Sequence, residues 1–359
     1  MEATTIKLPG IVSDVDGVIV KGSKGLPGSD EAVKILKTPL GKLNPEKFGT
    51  EESTLPLVCL SNVGEYLEED RANCINESLG LKDTPFQILG NQMVLNYSCL
   101  RPVFANLKDK TVIVSGLGEI ARSLKSVGLE NYLTLDEYLA LYPHASHSYT
   151  FYPQTTPSDD LVEEVRKRLG MTKEELLKEP VEIHAIFFMM SPDKWEDNIQ
   201  ILCDLIGKHK TRNQSGGLVE EQMPVYFGCT DLYLLTDYGP KISIGFFKDC
   251  IEHCYKKMFG KDLISEVTGK PAKAGYEYSK VLLQNQTKYQ IENYYMIGDN
   301  PKTDIRGAAK LGWKTILVKS GVFGGTLQND AEDPADYVVE SMLEAIKLIL
   351  RIEGIANLQ

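Results

Sequence analysis

Short apolar runs alternate with amphipathic segments along most of the chain. The apolar runs are typical of buried parallel strands, and they include 11–20, 57–60, 111–114, 181–190, 225–227, 263–267, 294–297, 314–318 and 337–339. Apolar positions at helical spacing follow many of them, at 29–37, 65–79, 193–206, 245–259, 276–283, 304–311 and 341–351. This alternation predicts an α/β fold built on a doubly wound parallel sheet.

The segment from about residue 99 to 262 lacks the acidic strand ends that occur on either side of it. We interpret it as a second α/β domain inserted into the first. The predicted division is therefore a core at 1–98 and 263–359 with an inserted domain at 99–262. Two crossings would join the domains, so that the inserted domain could hinge over the strand ends of the core.

Composition narrows the function classes. Hydrophobic residues make up 42% of the chain and charged residues 25%, which is ordinary for a globular protein. The formal net charge of −11 argues against binding of a nucleic-acid backbone. It permits a phosphorylated small molecule where a cation or a metal lies in the site. The chain has no apolar run of about 18 residues, so no membrane span is predicted.

The first predicted strand ends in two carboxylates one residue apart, Asp14 and Asp16, followed by Gly17. In an open parallel sheet, ligands bind at the carboxyl ends of the strands. A carboxylate there can attack phosphorus and form an aspartyl-phosphate. A second carboxylate just beyond it can donate a proton to the leaving oxygen. Taken alone, the same residues also fit a solvated acidic turn.

Three later segments carry residues that complement this pair, each after an apolar run. They are Ser61-Asn62, Gly269-Lys270-Pro271, and Gly298-Asp299 with Asp304. A hydroxyl and backbone N–H groups at Ser61 can hold phosphoryl oxygens, and acids at strand ends suit Mg²⁺. Two unit charges about 4 Å apart interact by about 4 kcal/mol at an effective dielectric near 20. The acids and a phosphate at one edge therefore require a divalent metal and a lysine to offset their repulsion.

In this order the four segments resemble the haloacid dehalogenase superfamily. The matching residues are Asp14-Val15-Asp16-Gly17, Ser61-Asn62, Gly269-Lys270-Pro271 and 298–308. The large insertion between the second and third segments is similar to the class IIA branch of phosphatases, which carries an α/β cap. The segments 191–206 and 226–232 resemble, more narrowly, the cat-eye-syndrome critical region protein 5 family of mitochondrial, phosphatase-like proteins.

The resemblance implies an Mg²⁺-dependent phosphatase that acts on a small phosphorylated metabolite. Asp14 would be the nucleophile, Asp16 the general acid and base, and Ser61 and Lys270 would hold the phosphoryl group. The implied metal ligands are Asp14, the backbone carbonyl of Asp16, Asp299 and, through water, Asp304. Caps of this branch often dimerise, so a homodimer is expected. The location would be mitochondrial if a transit peptide has been removed from the chain, and cytoplasmic otherwise.

Substrate contacts are harder to assign than the catalytic residues. The candidates are Asn62, Asp193, Trp195 and Asp231. Trp195 also fits a role in helix packing, and Asp231 also fits a turn. Many class IIA phosphatases have Thr-Asn-Asn-Ser in the second motif, whereas this chain has Ser61-Asn62-Val63-Gly64. The loop beside the phosphate is thus smaller and more apolar than in those phosphatases, and the sequence leaves the identity of the substrate open.

Two alternatives compete with a phosphatase. The sequence Gly116-Leu117-Gly118-Glu119-Ile120-Ala121 fits a dinucleotide-binding turn, with Asp136 or Glu137 at the spacing expected for a ribose contact. It lies in the inserted domain, however, and no residues for hydride transfer accompany it. The second alternative is a binding or regulatory protein with negligible turnover, linked to mitochondrial glycerophospholipid metabolism. The intact Asp14 and Asp16 pair argues against it, because a pure binder has no need of the second acid.

Overall fold

The computed structural model describes residues 6–145, 157–207, 211–212, 218–219, 221–236, 238–324 and 328–356. Within these ranges the chain forms two larger sheets, both parallel, with helices packed against them. The predicted α/β class with a parallel sheet is confirmed. In the described part of the chain, no helix has the length and apolar character needed to cross a bilayer.

The first sheet, which we call the core sheet, has six strands. In spatial order they are Tyr337–Val339, Lys314–Val318, Gln290–Gly298, Lys7–Ser13, Leu57–Leu60 and Met93–Val94. The central strand Lys7–Ser13 is buried at every position after Lys7 and pairs along both of its edges. Burial on both faces explains why its sequence is almost continuously apolar rather than alternating.

The second sheet, which we call the cap sheet, has five strands. In spatial order they are Glu266–Val267, Val225–Phe227, Ile186–Phe188, Val112–Ser115 and Tyr132–Thr134. Four of the five come from the segment predicted to be inserted. The strand Glu266–Val267 lies beyond the predicted boundary at residue 262, yet it pairs with Tyr226 and Phe227 in the cap sheet. The cap sheet therefore extends to Val267, and the division into domains stays a prediction.

Helices and short hairpins complete the fold. The helices are Ser29–Leu36, Leu40–Leu43, Pro45–Phe48, Glu68–Leu79, Arg101–Asn106, Ile120–Ser126, Leu135–Leu141, Asp159–Leu169, Lys173–Lys178, Trp195–Gly207, Ile244–Phe259, Lys273–Asn285, Arg306–Ala309 and Met342–Ile352, with 3₁₀ turns at Gly90–Gln92 and Pro143–Ala145 and a π turn at Pro301–Ile305. The antiparallel pairs are Val20–Lys21 with Lys24–Gly25, Thr211–Arg212 with Leu218–Val219, and Tyr233–Thr236 with Gly239–Ile242.

Apolar packing connects the two sheets. One cluster of buried side chains contains Ile11 and Leu57 of the core sheet together with Val114 and Phe187 of the cap sheet. The Phe187 ring lies 5.0 Å from that of Phe104, in the segment that links the two sheets. Because this cluster is continuous, the cap sheet is packed onto the core rather than only tethered to it.

Candidate active site

Asp14 follows the central core strand directly, and backbone contacts fix its position. Its N–H donates to the carbonyl of Ile297 at 2.8 Å, so the neighbouring strand still pairs with it. The Ser13 hydroxyl donates to the Asp14 carbonyl at 2.7 Å. Only 7% of Asp14 is exposed. The carboxylate is therefore held in a protected place at the carboxyl edge of the core sheet.

Two further acids lie beside Asp14. Asp14, Asp299 and Asp304 each offer a carboxylate oxygen, and these oxygens lie within 4.8 Å of one another. Asp299 Oδ2 accepts a hydrogen bond from the Val322 N–H at 2.6 Å, and Asp304 Oδ2 accepts one from the Asn300 N–H at 3.0 Å. All three acids are buried. Three full negative charges at this spacing would repel strongly without a cation among them.

Glycines make room for this cluster. A Cβ atom on Gly17 would lie 2.2 Å from Asp299 Oδ2, and one on Gly321 would lie 1.9 Å from the same oxygen. Gly17 also has a φ of +93°, which favours glycine. The close approach of two loops to Asp299 therefore depends on residues without a side chain.

Lys270 supplies the positive charge that the sequence predicted. Its Nζ lies 2.6 Å from Asp14 Oδ1 and 2.8 Å from Asp304 Oδ1, and only 3% of the side chain is exposed. The strand before it, Glu266–Val267, belongs to the cap sheet and not to the core sheet as expected. Lys270 thus follows the point where the chain returns from the cap, and its side chain reaches the core acids from there.

Burial and mutual repulsion shift the acids toward their protonated forms. Burial raises the pKa of Asp14 to about 7, although Lys270 opposes the rise. Burial, followed by the charges of Asp14 and Asp304, also raises the pKa of Asp299. Although burial opposes a charge on Lys270, Asp14 and Asp304 hold its pKa above the ordinary value. Without a metal, the cluster therefore retains protons that a bound cation would displace.

The donor set fits a hard divalent cation. It consists of carboxylate oxygens only, which are the ligands that Mg²⁺ and Ca²⁺ prefer. The three acids are close enough to share one ion, and a bound cation would offset the burial and mutual repulsion that raise the pKa values of Asp14 and Asp299. Asp14, Asp299 and Asp304 would hold the metal in the loaded protein.

Asp16 lies next to a residue that the sequence analysis missed. Arg71 Nη2 donates to Asp16 Oδ1 at 2.8 Å and to Oδ2 at 2.9 Å. The guanidinium also lies over the Tyr66 ring, 5.4 Å from its centroid. Burial opposes the charge of Arg71, but Asp16 raises its pKa nonetheless. The sequence signal was weak, because Arg71 lies in a predicted helix where an arginine normally faces water.

Ser61 and Asn62, the second of the four segments found in the sequence, contact other residues of the site. Ser61 is buried, and its Oγ accepts a hydrogen bond from the Val63 N–H at 3.4 Å. The Asn62 side chain is committed to protein contacts: Oδ1 accepts from the Lys270 N–H at 2.7 Å, and Nδ2 donates to Asp231 Oδ2 at 2.8 Å. Asn62 therefore contacts both Lys270 and Asp231, and its role as a substrate contact stays a prediction.

A cavity of about 80 Å³ lies at this junction, and we call it the catalytic cavity. The predicted residues that line it are Asp14, Asp16, Ser61, Asn62, Asp231, Lys270 and Asp299. Its volume is enough for several water molecules or for one phosphoryl group. Burial raises the pKa of Asp231 here, while Asn62 and Lys270 oppose the rise. The structure thus brings together segments that lie far apart in the sequence.

Two predicted substrate contacts lie elsewhere. Trp195 Nε1 donates to the Pro192 carbonyl at 2.8 Å, and its ring packs against Phe247 at 5.4 Å. Asp193 is exposed and lines a different cavity, beside the turn at Gly116. This placement corrects the expectation that Asp193 and Trp195 face the substrate. Trp195 is a packing residue of its helix.

Two family models match the chain, one in its first half and one near its end. A model described as haloacid dehalogenase-like hydrolase matches residues 11–130, and a model described as HAD-hydrolase-like matches residues 267–345. The chain belongs to the haloacid dehalogenase superfamily. Both models describe hydrolases, the class of enzyme that the sequence motifs indicated.

Two curated relatives match most of the chain. One is the cardiolipin synthase (CMP-forming) / mitochondrial hydrolase fusion protein of Schizosaccharomyces pombe, 24% identical over 343 residues, with 94% of this chain and 52% of that protein covered. The other is the mitochondrial hydrolase YKR070W of Saccharomyces cerevisiae, 23% identical over 349 residues, with 89% of both chains covered. The chain thus spans about half the length of the fission-yeast fusion protein.

Solved structures share the fold at low identity. The hypothetical protein PH1952 from Pyrococcus horikoshii is 18% identical with a TM-score of 0.62, and the alignment covers 95% of this chain and 100% of that one. The p-nitrophenyl phosphatase from Archaeoglobus fulgidus is 16% identical with a TM-score of 0.58, covering 96% and 100%. NagD from E. coli is 16% identical with a TM-score of 0.56, covering 94% and 98%. These likenesses establish a shared architecture.

Proposed function

We propose that the chain hydrolyses a small phosphomonoester in an Mg²⁺-dependent reaction that passes through an aspartyl-phosphate on Asp14. The observation that carries the proposal is the buried cluster of Asp14, Asp299 and Asp304 with Lys270 bonded into it. A structural ion pair would not need a third acid and a cavity beside it. A site that combines a nucleophile, a cation site and a phosphoryl-binding lysine requires both the third acid and the cavity.

In the first step, an oxygen of Asp14 attacks phosphorus as the bond from phosphorus to the leaving oxygen breaks. Asp16, protonated at this stage, gives its proton to that oxygen, so the alcohol leaves neutral. Lys270 and the Ser61 loop hold the phosphoryl oxygens and stabilise their charge. A bound Mg²⁺ would supply further charge neutralisation beside the carboxylates. The products of the step are an aspartyl-phosphate and an alcohol.

In the second step, water attacks the phosphorus of the aspartyl-phosphate. The Asp16 carboxylate accepts a proton from that water, and the bond from phosphorus to the Asp14 oxygen breaks. Inorganic phosphate is released, and both carboxyl groups return to their starting states. The same side chain serves as acid and then as base, which requires it to lie beside the leaving oxygen and the incoming water in turn.

A direct test compares the wild type with Asp14→Asn on p-nitrophenyl phosphate, with and without Mg²⁺. Removing a nucleophile should lower kcat by at least about a thousand-fold. The matched control is Asp193→Asn, which removes an exposed acid outside the catalytic cavity and should keep the wild-type rate. Equal rates for the wild type and Asp14→Asn would contradict the proposal.

The mouth of the catalytic cavity favours a leaving group with an apolar part. Tyr233 and Leu234 line the cavity and are exposed, and Tyr238 and Ile242 of the same hairpin are 89% and 61% exposed. The fusion of the fission-yeast relative to a cardiolipin synthase supports a phosphorylated glycerolipid as a second, narrower candidate. Faster turnover of lysophosphatidic acid than of glycerol 3-phosphate would favour it, and the reverse order would exclude it.

Location and assembly are proposed on similar grounds. The names of both yeast relatives support a mitochondrial location for this chain. The exposed apolar side chains of the hairpin at Tyr233–Ile242 also support the predicted homodimer through the cap, since a second copy could cover them. Light scattering would show a mass twice that of the chain in the dimer and the mass of one chain otherwise.

The dinucleotide alternative loses its support in the structure. A Cβ atom on Gly118 would lie 2.4 Å from the Cβ of Glu65, and one on Gly116 would lie 2.8 Å from the Met190 carbonyl oxygen. Close approach of the protein to itself therefore accounts for both glycines without a pyrophosphate. Absence of NAD binding in an isothermal titration is the expected result.

A further inference from the structure

We infer that Arg71 is a positioning residue that fixes the direction of the Asp16 carboxylate for proton transfer to the leaving group. The inference rests on the proposed function, in which Asp16 is the acid and base. Nothing in the sequence motifs assigns a role to Arg71, and the structure alone places it at the site.

Arg71 is held in place by its surroundings. It lies in the first turn of the helix Glu68–Leu79, where its N–H donates to the Leu67 carbonyl at 2.9 Å. Only 10% of its side chain is exposed, and the Tyr66 ring lies beside the guanidinium. Its Nε has no hydrogen-bond partner among the described residues. Desolvating a guanidinium in this way is costly, so the contact with Asp16 is a weak means of adding stability.

Asp16 needs such a partner because little else directs its side chain. It lies in the turn beyond the central strand, where the Gly17 N–H donates to the Val20 carbonyl at 2.7 Å. Its side chain is 29% exposed, so it borders open space. Both carboxylate oxygens face Arg71 Nη2, which removes the freedom of the terminal torsion. A proton donor has to lie within hydrogen-bond reach of its target, so the fixed direction is useful for catalysis.

The space beside Asp16 indicates where a leaving group can be accommodated. Asp16 lines the catalytic cavity and also a neighbouring open cavity of about 620 Å³, whose walls include Arg71, Tyr66 and Leu234. Because the leaving oxygen has to meet Asp16, the rest of the alcohol extends into this second cavity. Arg71 thus contacts the acid from the wall of the second cavity, beside the path of the departing group.

The role of Arg71 can be separated from a structural one by the choice of substrate. A guanidinium does not lose its proton in proteins, so Arg71 acts through Asp16. An alkyl phosphate releases a strongly basic alkoxide and needs the proton of Asp16. p-Nitrophenolate is a weak base and leaves without it. Loss of Arg71 should therefore affect the alkyl phosphate much more than the aryl phosphate.

The experiment measures kcat and KM for β-glycerophosphate and p-nitrophenyl phosphate with Mg²⁺, in the wild type, Arg71→Met, Asp16→Asn and the double variant. We expect Arg71→Met to lower kcat about 100-fold on the alkyl phosphate and less than about 3-fold on the aryl phosphate. In the Asp16→Asn background, Arg71→Met should have no further effect. Added guanidinium should partly restore the alkyl-phosphate rate of Arg71→Ala, which a misfolded protein would not allow.

The matched control is Arg168→Met. Arg168 is a similarly buried arginine that pairs with Glu137 at 2.7 Å and lies over the Tyr132 ring at 4.2 Å, in the cap segment. Its loss should leave the ratio of the two rates unchanged. Equal losses on both substrates in Arg71→Met, or effects that add to those of Asp16→Asn, would overturn the inference and leave the proposed function standing. Wild-type rates in Asp14→Asn would overturn both.

Discussion

Asn62 Nδ2, in the core, donates a hydrogen bond of 2.8 Å to Asp231 Oδ2, in the cap. The same amide accepts a hydrogen bond from the Lys270 N–H through Oδ1. One short side chain therefore connects the end of a core-sheet strand to Asp231 at the catalytic cavity and contacts the backbone of Lys270. Asp231 in the cap segment is thereby linked to Lys270.

Asn62→Ala should lower the free energy of unfolding by about 1–3 kcal/mol, because it leaves a buried backbone N–H at Lys270 and the Asp231 carboxylate without their partner. Urea unfolding measures the change. Asn285→Ala, at an exposed position near a helix end, is the control and should change it by less than about 0.5 kcal/mol. An equal effect of the two substitutions would show that the hydrogen bonds of Asn62 do not add to the free energy of unfolding.

The stability of the metal-free protein should fall as the pH rises from about 4 to about 7. In this window the unfolded chain has released the proton of Asp14, whereas the folded protein still holds it, because burial raises the pKa of Asp14 to about 7. Thermal melting in EDTA at pH 5, 6 and 7 tests this, with Asp14→Asn as the control that should remove this part of the slope.

Mg²⁺ should therefore stabilise the protein more at pH 8 than at pH 5.5, since protons compete with the ion for the same carboxylates. Melting temperatures with and without the ion measure the difference. If the stabilisation by Mg²⁺ did not depend on pH, the ion would bind at a site other than these carboxylates.

Gly321→Ala should weaken Mg²⁺ binding and lower turnover more than about ten-fold. The new Cβ would lie 1.9 Å from Asp299 Oδ2 and would displace the carboxylate from the cluster. Gly324→Ala is a matched control in the same loop, because the nearest atom to its Cβ would be 3.5 Å away. Titration calorimetry compares the two variants. Unchanged Mg²⁺ affinity in Gly321→Ala would argue against Asp299 as a ligand.

Asp16→Asn should remove turnover of alkyl phosphates while Mg²⁺ binding persists. The metal is expected to use only the backbone carbonyl of residue 16, which the substitution keeps, whereas the acid function requires the carboxyl group. Asp299→Asn should show the opposite pattern in calorimetry, with Mg²⁺ binding lost. Loss of the metal in Asp16→Asn would mean that its side chain is a ligand.

The sequence predicted the parts of the site that follow strands. The apolar run before Asp14 placed that residue at a strand end, and the same logic placed Asp299 after Gln290–Gly298. The carboxyl ends of parallel strands lie at one edge of the sheet, so residues that follow different strands come together whatever their separation in the sequence. Lys270 lies beside these acids, but the strand before it belongs to the cap sheet, and this pairing of Glu266–Val267 cannot be read from its composition.

Contacts between side chains of different helices, strands and turns could not be predicted from the sequence. The pairing of Arg71 with Asp16 joins a helix to a turn, and neither segment carries a pattern that names the other. Trp195 is a different case. A large aromatic residue near a predicted strand end fitted either a substrate contact or helix packing, and the structure shows it packed against Phe247. The hairpin that contains Tyr238 was missed because its alternation is short and interrupted by Gly239 and Pro240.

Detection of a covalent intermediate on Asp14 is the sharpest test of the proposed mechanism. Acid quenching during turnover of p-nitrophenyl phosphate, followed by proteolysis and mass spectrometry, would identify any phosphorylated residue. We expect one phosphoryl group on Asp14, present in the wild type with Mg²⁺ and absent from Asp14→Asn. Turnover without a phosphorylated Asp14, or with the phosphoryl group on another residue, would contradict it.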